Sequence, residues 1–373
     1  MRFTERGYTA ATAATAEPHR DMWLRGDEEI VIELLVPQSA NRSPLVVYLP
    51  GLGEPVEAGA AWRNAWAQAG YVVASLQTGS GGALWSSASG HNGDFAKVAR
   101  EQFAVKSLAT WIERVAFVLQ GIVRRAQAGE SSYARIDTDR IAVAGFDLGA
   151  QTALAFAGEK HPGMTDIPAM PGLRAVIALS PQAILARGGF AERFGDIRLP
   201  TLTITGSEDV DPYGIVDSPH TRQAPFSYMP PGDKYLLVIE DGTHQLMAGG
   251  NGPPSVAEDG KGPAGDSPGG DGQREPPGGM GRGGPGRGRG GMGGPGGGQG
   301  RMEGGPGGAS GGRPDGARFR RSAGAGSQRQ TVIVERVSVA FLDAAVKDDP
   351  VAREWLARDA VRWSDPLARL KMK

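Results

Sequence analysis

The sequence predicts an α/β protein whose mostly parallel sheet is covered by helices on both faces. Short, almost wholly apolar runs such as 45–49, 175–179 and 235–239 alternate with segments of helical periodicity. Strands buried on both faces have this composition, and their alternation with helices is typical of a doubly wound sheet. Several runs end in glycine and polar residues, and such sheets bind ligands at the carboxyl ends of their strands.

The first half of the chain supplies three predicted strands and a helix. Residues 1–27 have no clear period and predict only a surface lead-in. The runs 30–36, 45–49 and 71–76 predict strands, because each is largely apolar and is bounded by proline, glycine or polar residues. Between the last two runs, aromatic residues at helical spacing predict a helix that ends at Gly70.

A long loop and a long helical segment follow. Residues 77–94 are rich in glycine and serine and carry Trp85 and His91. A loop of this length often borders a binding site. Residues 95–127 have apolar residues at helical spacing and predict one or two amphipathic helices.

The second half repeats the strand pattern and ends in helices. Four more apolar runs predict buried strands: 141–144, 175–179, 201–205 and 235–239. Near the end of the chain, 332–345 and 351–363 predict helices that return to the core.

Residues 249–330 differ in composition from the rest of the chain. They hold more than half of the 58 glycines, and they contain too few apolar residues to offset the entropy of ordering. We expect this segment to be disordered. One domain therefore consists of residues 1–248, completed by helices within 331–373, with 249–330 as an internal insertion.

The arginines of this insertion lie among glycines, as in segments that contact RNA without sequence preference. They include Arg282, Arg287, Arg289, Arg301 and Arg313. However, residues 249–330 hold 11 Arg or Lys against 7 Asp or Glu and have almost no aromatic residues. A solvated spacer is the favoured interpretation, and nucleic acid is not an expected partner.

The overall composition excludes several classes of function. The net charge of −1 indicates no polyanionic partner, and the absence of cysteine excludes disulfides and thiolate chemistry. No apolar run is long enough to span a membrane, and the N-terminus lacks the apolar core of a signal peptide. The sequence thus predicts a soluble, cytoplasmic protein without a metal or cofactor. It leaves the oligomeric state open.

One turn has a distinctive sequence. Four apolar residues lead into Gly145-Phe146-Asp147-Leu148-Gly149, after which a helical pattern begins at once. Two glycines in this spacing, between a buried strand and a helix, predict a nucleophile elbow, a sharp turn that lifts one side chain above the sheet. The simpler interpretation is an ordinary strand-to-helix turn in which Asp147 caps the helix.

Residues that follow later predicted strands complete the chain order of a catalytic triad. Nucleophile, acid and histidine follow successive strands in enzymes with this elbow, and the sequence offers Asp147, Asp209 and His244 in that order. Five histidines occur in the chain, and His244 alone directly follows the last predicted strand. Glu208 and Asp211 are alternative acids because they lie within two residues of Asp209.

Several motifs resemble the predicted dienelactone hydrolase family, from about residue 18 to 244 and again from 336 to 363. The motifs are Leu49-Pro50-Gly51-Leu52-Gly53, Asp137-Thr138-Asp139-Arg140-Ile141-Ala142-Val143-Ala144-Gly145, Thr205-Gly206-Ser207-Glu208-Asp209 and Lys234-Tyr235-Leu236-Leu237-Val238-Ile239. That family is akin to bacterial lipases and platelet-activating-factor acetylhydrolase within the α/β-hydrolase superfamily.

The resemblance implies an eight-stranded α/β-hydrolase fold without a helical cap domain, and an ester or lactone substrate. It also implies an oxyanion hole at the backbone N–H groups of Leu52 and Leu148. Two residues depart from the family pattern. Pro50 stands where a histidine usually precedes the first glycine of the oxyanion loop, and Asp147 stands where the elbow serine is expected.

The aspartate changes the expected chemistry. A serine attacks an acyl carbon, whereas a carboxylate that did so would form a reactive anhydride. A carboxylate is better suited to displace a leaving group at saturated carbon and form an ester, which water then hydrolyses. The segment from Gly145 to Ala150 resembles the elbows of epoxide hydrolases and of haloacid or haloalkane dehalogenases, which act in this way.

Those enzymes carry a helical cap with aromatic residues that contact the leaving group. The segment 180–200 is too short for such a cap, so Tyr213, Tyr228 or Trp85 would have to replace its aromatic residues. Each of these three is also a candidate for simple packing.

Two functional hypotheses follow. In the first, the protein hydrolyses a small ester, lactone, epoxide or halide with Asp147 as nucleophile, His244 as general base and Asp209 orienting the histidine. In the second, it is a non-catalytic relative that binds a small ligand, and Asp147 replaces a lost serine.

Overall fold

A computed structural model describes residues 7–11, 13–39, 41–78, 95–164, 167–184, 189–216, 218–250 and 316–373. The chain divides into two units, Met1–Ser255 with Phe319–Lys373, and Val256–Arg318. The first unit contains the sheet. Of the second, only residues 316–318 are described, and they open a helix.

Nine strands form one sheet. They are β1 Ala16–Arg25, β2 Glu28–Pro37, β3 Ser43–Leu49, β4 Val72–Thr78, β5 Ile136–Phe146, β6 Leu173–Leu179, β7 Thr201–Glu208, β8 Lys234–Thr243 and β9 Ala368–Met372. Their spatial order is β1-β2-β4-β3-β5-β6-β7-β8-β9. The central pairs from β4 to β8 are parallel, and the pairs at both edges are antiparallel. The predicted α/β class with a mostly parallel sheet is confirmed.

Helices occupy the connections between the strands. They are α1 Ala60–Gln68, α2 Phe95–Gln102, α3 Val105–Gln127, α4 Leu148–Ala157, α5 Phe190–Phe194, α6 Ala224–Tyr228, α7 His244–Met247, α8 Gly316–Val346, α9 Pro350–Arg358 and α10 Ala360–Ser364. The predicted helical segment 95–127 is thus two helices, and the segment 351–363 is covered by α9 and α10.

Alternate residues of the central strands enter two different cores. Val46 and Tyr48 of β3 join the core that contains Trp62 of α1 and Trp355 of α9. The intervening residues of β3 join the second core with apolar residues of α3 and α4, among them Val115. Both faces of the sheet are therefore covered by helices, and this explains why the central strands are apolar throughout.

Two strands were not predicted. Residues 1–27 were expected to be a surface lead-in, yet β1 pairs with β2 along its whole length. Only Trp23 of β1 is buried, because an edge strand contacts the sheet on one side, and so its apolar signal is weak. The five residues of β9 are too few for a recognisable alternation.

The end of the predicted insertion also needs correction. Helix α8 begins at Gly316 rather than near residue 332, so 316–330 is helical although 249–330 was expected to be disordered. The expectation of disorder rested on the shortage of apolar residues, whereas the Ala, Arg and Gln residues of 316–330 have a high intrinsic helix propensity. Residues 251–315 lie outside the described part of the chain, as do 79–94 with Trp85 and His91.

The connection between β6 and β7 carries one short helix, α5, within its described residues 180–184 and 189–200. Throughout the described ranges, no helix combines the length and apolar character that crossing a membrane requires.

Close backbone packing fixes the turn between β5 and α4. A Cβ atom at Gly149 would overlap the backbone oxygen of Leu49 in the neighbouring strand, and one at Gly145 would overlap the backbone of Gly149. The first turn of α4 therefore lies directly against the end of β3, and only glycine permits this approach.

We predict that Gly149→Ala lowers the free energy of unfolding by about 3 kcal/mol or more, because the backbone of β3 cannot yield to the new methyl group. Gly189→Ala is the matched control, since no heavy atom lies within 4 Å of the added Cβ and its φ of −62° suits alanine. The control should be neutral or stabilised by up to about 1 kcal/mol. Denaturant unfolding of both variants measures this, and equal midpoints would contradict the packing described.

Candidate functional site

Asp147 occupies the sharp turn that the sequence predicts. It lies between β5 and α4 with φ 52° and ψ −107°, a conformation that residues other than glycine rarely adopt. Its N–H donates to the carbonyl of Leu179 at 3.0 Å, and its own carbonyl accepts from the N–H of Gln151 at 3.2 Å. Hydrogen bonds on both sides of the residue hold the strained backbone in place.

The side chain of Asp147 does not cap the helix. It makes no capping hydrogen bond to the N–H groups of α4, and Oδ1 instead accepts from Nε2 of Gln182 at 2.7 Å. The residue is 1% exposed. The helix-cap interpretation of Asp147 is therefore wrong for this structure, and the carboxylate is a buried group directed at the end of the neighbouring strand β6.

Asp209 is buried at the end of β7 in a network that satisfies both carboxylate oxygens. Oδ2 accepts hydrogen bonds from the hydroxyls of Ser180 at 2.6 Å and Thr205 at 2.7 Å. Oδ1 lies 2.7 Å from Nδ1 of His244. These contacts fix the carboxylate before any substrate is bound.

The alternative acids lie elsewhere. Asp211 accepts hydrogen bonds from the backbone N–H groups of Tyr213, Ile215 and Val216, so its carboxylate shapes the loop after β7. Glu208 is exposed. Of the three candidate acids, Asp209 is the one that contacts His244.

His244 is the first residue of α7, directly after β8. Its ring packs on Phe146 with the ring centroids 4.8 Å apart. A contact of 2.7 Å between Nδ1 and the carboxylate of Asp209 requires a proton on Nδ1, which leaves the lone pair on Nε2 when the ring is neutral.

A gap separates the ring of His244 from the carboxylate of Asp147. Nε2 lies 4.0 Å from Oδ1 of Asp147, too far for a direct hydrogen bond. The three predicted residues thus meet at one edge of the sheet, with the histidine next to the carboxylate but not bonded to it.

A buried arginine was not predicted from the sequence. Arg222 lies between β7 and α6, where its Nε is 3.3 Å from Oδ1 of Asp209 and its Nη1 donates to the carbonyl of Ser180 at 2.8 Å. Nη2 lies 3.5 Å from Nδ1 of His244. This guanidinium supplies one positive charge next to the carboxylate of Asp209, and its charge also acts to lower the pKa of Asp147. Arg222 does not directly follow a predicted strand, so its place in the sequence gave no reason to select it.

The two aspartates have opposite electrostatic environments. Burial raises the pKa of Asp147, and the nearby His244 and Arg222 offset this only in part. Burial also acts to raise the pKa of Asp209, but the hydrogen bond from His244 and the charge of Arg222 outweigh it, so that the pKa lies below its ordinary value. Asp209 is therefore a firmly ionised partner for the histidine, whereas Asp147 is a destabilised and hence more basic carboxylate.

The residues expected to form the oxyanion hole lie in one cluster. Leu52 and Leu148 are buried and belong to the same group of packed side chains as Tyr213. Because Leu148 is the first residue of α4, its N–H has no acceptor within the helix. Leu52 lies in the loop after β3, and that strand pairs with β5 up to Gly145.

Tyr213 and Tyr228 have different surroundings. Burial raises the pKa of the Tyr213 hydroxyl, and the charges of Asp147 and Glu54 raise it further, which locates this hydroxyl near the elbow. Tyr228 is 47% exposed and packs on Phe190. Of the two tyrosines, Tyr213 is the one adjacent to the candidate site.

In the part of the chain that the structure describes, no group of three or more His, Cys, Asp or Glu side chains has a metal-binding arrangement. Comparison of the sequence with protein-family models and with curated proteins gives no match. The geometry of the site is therefore the main basis for a functional inference.

We predict that Asp147→Asn stabilises the fold at neutral pH by about 1 kcal/mol, because it removes a buried charge and retains an acceptor for Gln182. A carboxyl whose pKa is raised by folding costs stability above that pKa, so the gain should vanish as the pH falls and the native Asp147 becomes protonated. Asp209→Asn is the opposite control and should destabilise, since its pKa is lowered by folding. The measurement is urea unfolding of the native protein and both variants, from neutral pH down to the pH at which the native Asp147 is protonated. Destabilisation by Asp147→Asn at neutral pH would contradict the prediction.

Substitution of Arg222 should show how much its positive charge stabilises the buried carboxylates. Arg222→Met is expected to cost about 3–5 kcal/mol, because it leaves Asp209 buried without its counter-charge. In the double variant with Asp147→Asn, the free energy of unfolding should be about 1 kcal/mol higher than the sum of the two single changes predicts. Arg198→Met, whose side chain is 73% exposed, is the neutral control. Strict additivity in the double-mutant cycle would show that Arg222 does not act on Asp147.

Proposed function

We propose that this protein is an α/β-hydrolase in which Asp147 is the nucleophile, His244 the general base and Asp209 the residue that orients the histidine. Its substrate would be a small molecule with a leaving group on saturated carbon, either an epoxide or an alkyl halide. The observation that supports this most strongly is a buried carboxylate at the elbow with Nε2 of His244 at 4.0 Å. The order of Asp147, Asp209 and His244 after β5, β7 and β8 also supports it.

The first step would form a covalent ester. A carboxylate oxygen of Asp147 attacks the substrate carbon, a new C–O bond forms, and the bond to the leaving group breaks with its electron pair. Burial favours this step, since a poorly solvated carboxylate gains by losing its charge. Attack on an ester carbonyl would give an anhydride instead, so esters and lactones fit this nucleophile less well.

The second step would hydrolyse that ester. His244 takes a proton through Nε2 from a water in the gap beside Asp147, and the hydroxide attacks the acyl carbon of Asp147. The N–H groups of Leu52 and Leu148 would stabilise the oxyanion that forms there. As the intermediate collapses, the bond to the alkoxide breaks, and the alkoxide takes the proton of the hydroxyl that came from water. The alcohol then leaves, His244 keeps the proton that it took, and Asp147 is regenerated as a carboxylate with one oxygen derived from water.

A second candidate function is ligand binding without catalysis. The burial of Asp147, which is 1% exposed, favours this function, because a nucleophile must be accessible to its substrate. It accounts less well for the network around Asp209. Hydrogen bonds from Ser180 and Thr205 and the charge of Arg222 hold an acid against a histidine that would have no task.

We predict that turnover of an epoxide or alkyl halide in heavy-oxygen water transfers the label into Asp147, since water attacks the acyl carbon of the ester. Mass spectrometry of the peptide that contains Asp147 measures this over several turnovers of a substrate panel. Asp147→Asn should lose activity, and Asp147→Ser is the informative companion, because ester hydrolysis gained with serine would indicate an intact acyl-transfer pocket. If substrates were turned over and no label appeared in Asp147, the proposed nucleophile would be contradicted. If none of the substrates were turned over, ligand binding without catalysis would be favoured.

A further inference from the structure

Glu54 is a buried carboxyl group that the steps above do not use. It lies in the loop after β3 and is 3% exposed. Oε2 accepts a hydrogen bond from the N–H of Gly51 at 2.8 Å, while Oε1 is buried and has no partner in the described part of the chain. Burial of an unpaired polar atom is costly, and such atoms often mark a functional contact.

The loop that carries Glu54 lies beside the elbow. Strands β3 and β5 are parallel neighbours, and Leu49 pairs with Gly145 at their ends. A Cβ atom at Gly51 would lie 2.7 Å from the ring of Phe146 and 3.1 Å from Oε2 of Glu54. The carboxyl of Glu54 therefore lies near the residue that precedes Asp147.

The groups that face Glu54 favour its neutral form. Burial raises the pKa of Glu54 to about 8, the N–H of Gly51 opposes this, and the charge of Asp147 raises it further. The hydroxyls of Tyr48 and Tyr213 also face this carboxyl, and its charge acts on the pKa of both. Arg63 acts on Tyr48 but forms its ion pair with Glu33. Glu54 thus keeps its proton at neutral pH.

We propose that Glu54 is the general acid that protonates the leaving oxygen, and that the substrate class is therefore an epoxide rather than an alkyl halide. This inference rests on the proposed function. As a carboxylate oxygen of Asp147 forms its bond to a ring carbon, the C–O bond of the epoxide breaks. The electron pair stays on the oxygen, which takes the proton from Oε1 of Glu54.

The proton balance closes over the whole reaction. Ring opening leaves Glu54 as a carboxylate, and hydrolysis of the ester leaves His244 protonated. Transfer of that proton to Glu54 restores both groups, and the net reaction adds one water to an epoxide to give a diol. A halide leaves as a stable anion and needs no proton, so a buried acid would serve no purpose for it. Tyr213 is a poorer donor, because its surroundings raise its pKa.

Glu54→Gln tests the inference, because glutamine keeps the shape and the acceptor for Gly51 but has no acidic proton. The covalent step is measured by rapid quench and mass spectrometry of Asp147, with panels of epoxides and alkyl bromides of matched carbon skeletons. Ester formation from the epoxides should fall by about a hundredfold or more, and from the bromides by less than about threefold. Glu57→Gln, three residues away and paired with Arg20, is the control and should leave both rates unchanged.

The pH dependence of the native protein is an independent readout that needs no variant to fold. Ester formation from epoxides should rise as Asp147 ionises and fall again above about pH 8 as Glu54 loses its proton. The rate with bromides should rise without the alkaline fall. If Glu54→Gln slowed ester formation equally with epoxides and bromides, the proposed role of Glu54 would be overturned. The same holds if the native protein showed no alkaline fall with epoxides. Neither result would affect the proposal that Asp147 is the nucleophile. No label on Asp147 from any substrate would overturn both proposals.

Discussion

The whole site depends on how closely the turn after β5 approaches the end of β3. Gly145 and Gly149 have no Cβ, so the first turn of α4 lies directly against the backbone of Leu49. This contact holds Asp147 at a positive φ, where its side chain rises over the edge of the sheet instead of turning back to cap the helix. Parallel strands then bring Asp209 and His244 to the same edge.

Charge balance is the second constraint, and it follows from the first. Once the elbow carries an aspartate, two carboxylates are buried within reach of one imidazole. Asp209 is compensated by Arg222 and by three hydrogen-bond donors, so it is ionised and inert. Asp147 has one amide donor and an unbonded histidine, so its charge is only partly offset. The same fold thus lowers the pKa of one carboxylate and raises the pKa of the other.

The sequence was sufficient for the elements whose signal is local. Apolar runs identified seven strands. The glycine spacing and the strand-end positions predicted that Asp147, Asp209 and His244 lie together. The sequence did not predict the two strands that depend on pairing with a neighbour. Strand β1 has one buried residue, and β9 is held by its antiparallel pairing with β8. Gln182, Arg222 and Glu54 were missed because partners distant in the chain define their roles, and a single sequence gives no sign of them.

In the reaction that we propose, Asp147 forms a covalent bond with the substrate, and His244 is needed only to break that bond. His244→Phe retains an aromatic ring against Phe146 but cannot activate water, so it should trap the ester. Intact mass and peptide mapping after incubation with an epoxide and halide panel provide the measurement. We expect a stable adduct on the peptide that contains Asp147, and this adduct should be absent when Asp147→Asn is added. No adduct, or an adduct on another residue, would contradict it.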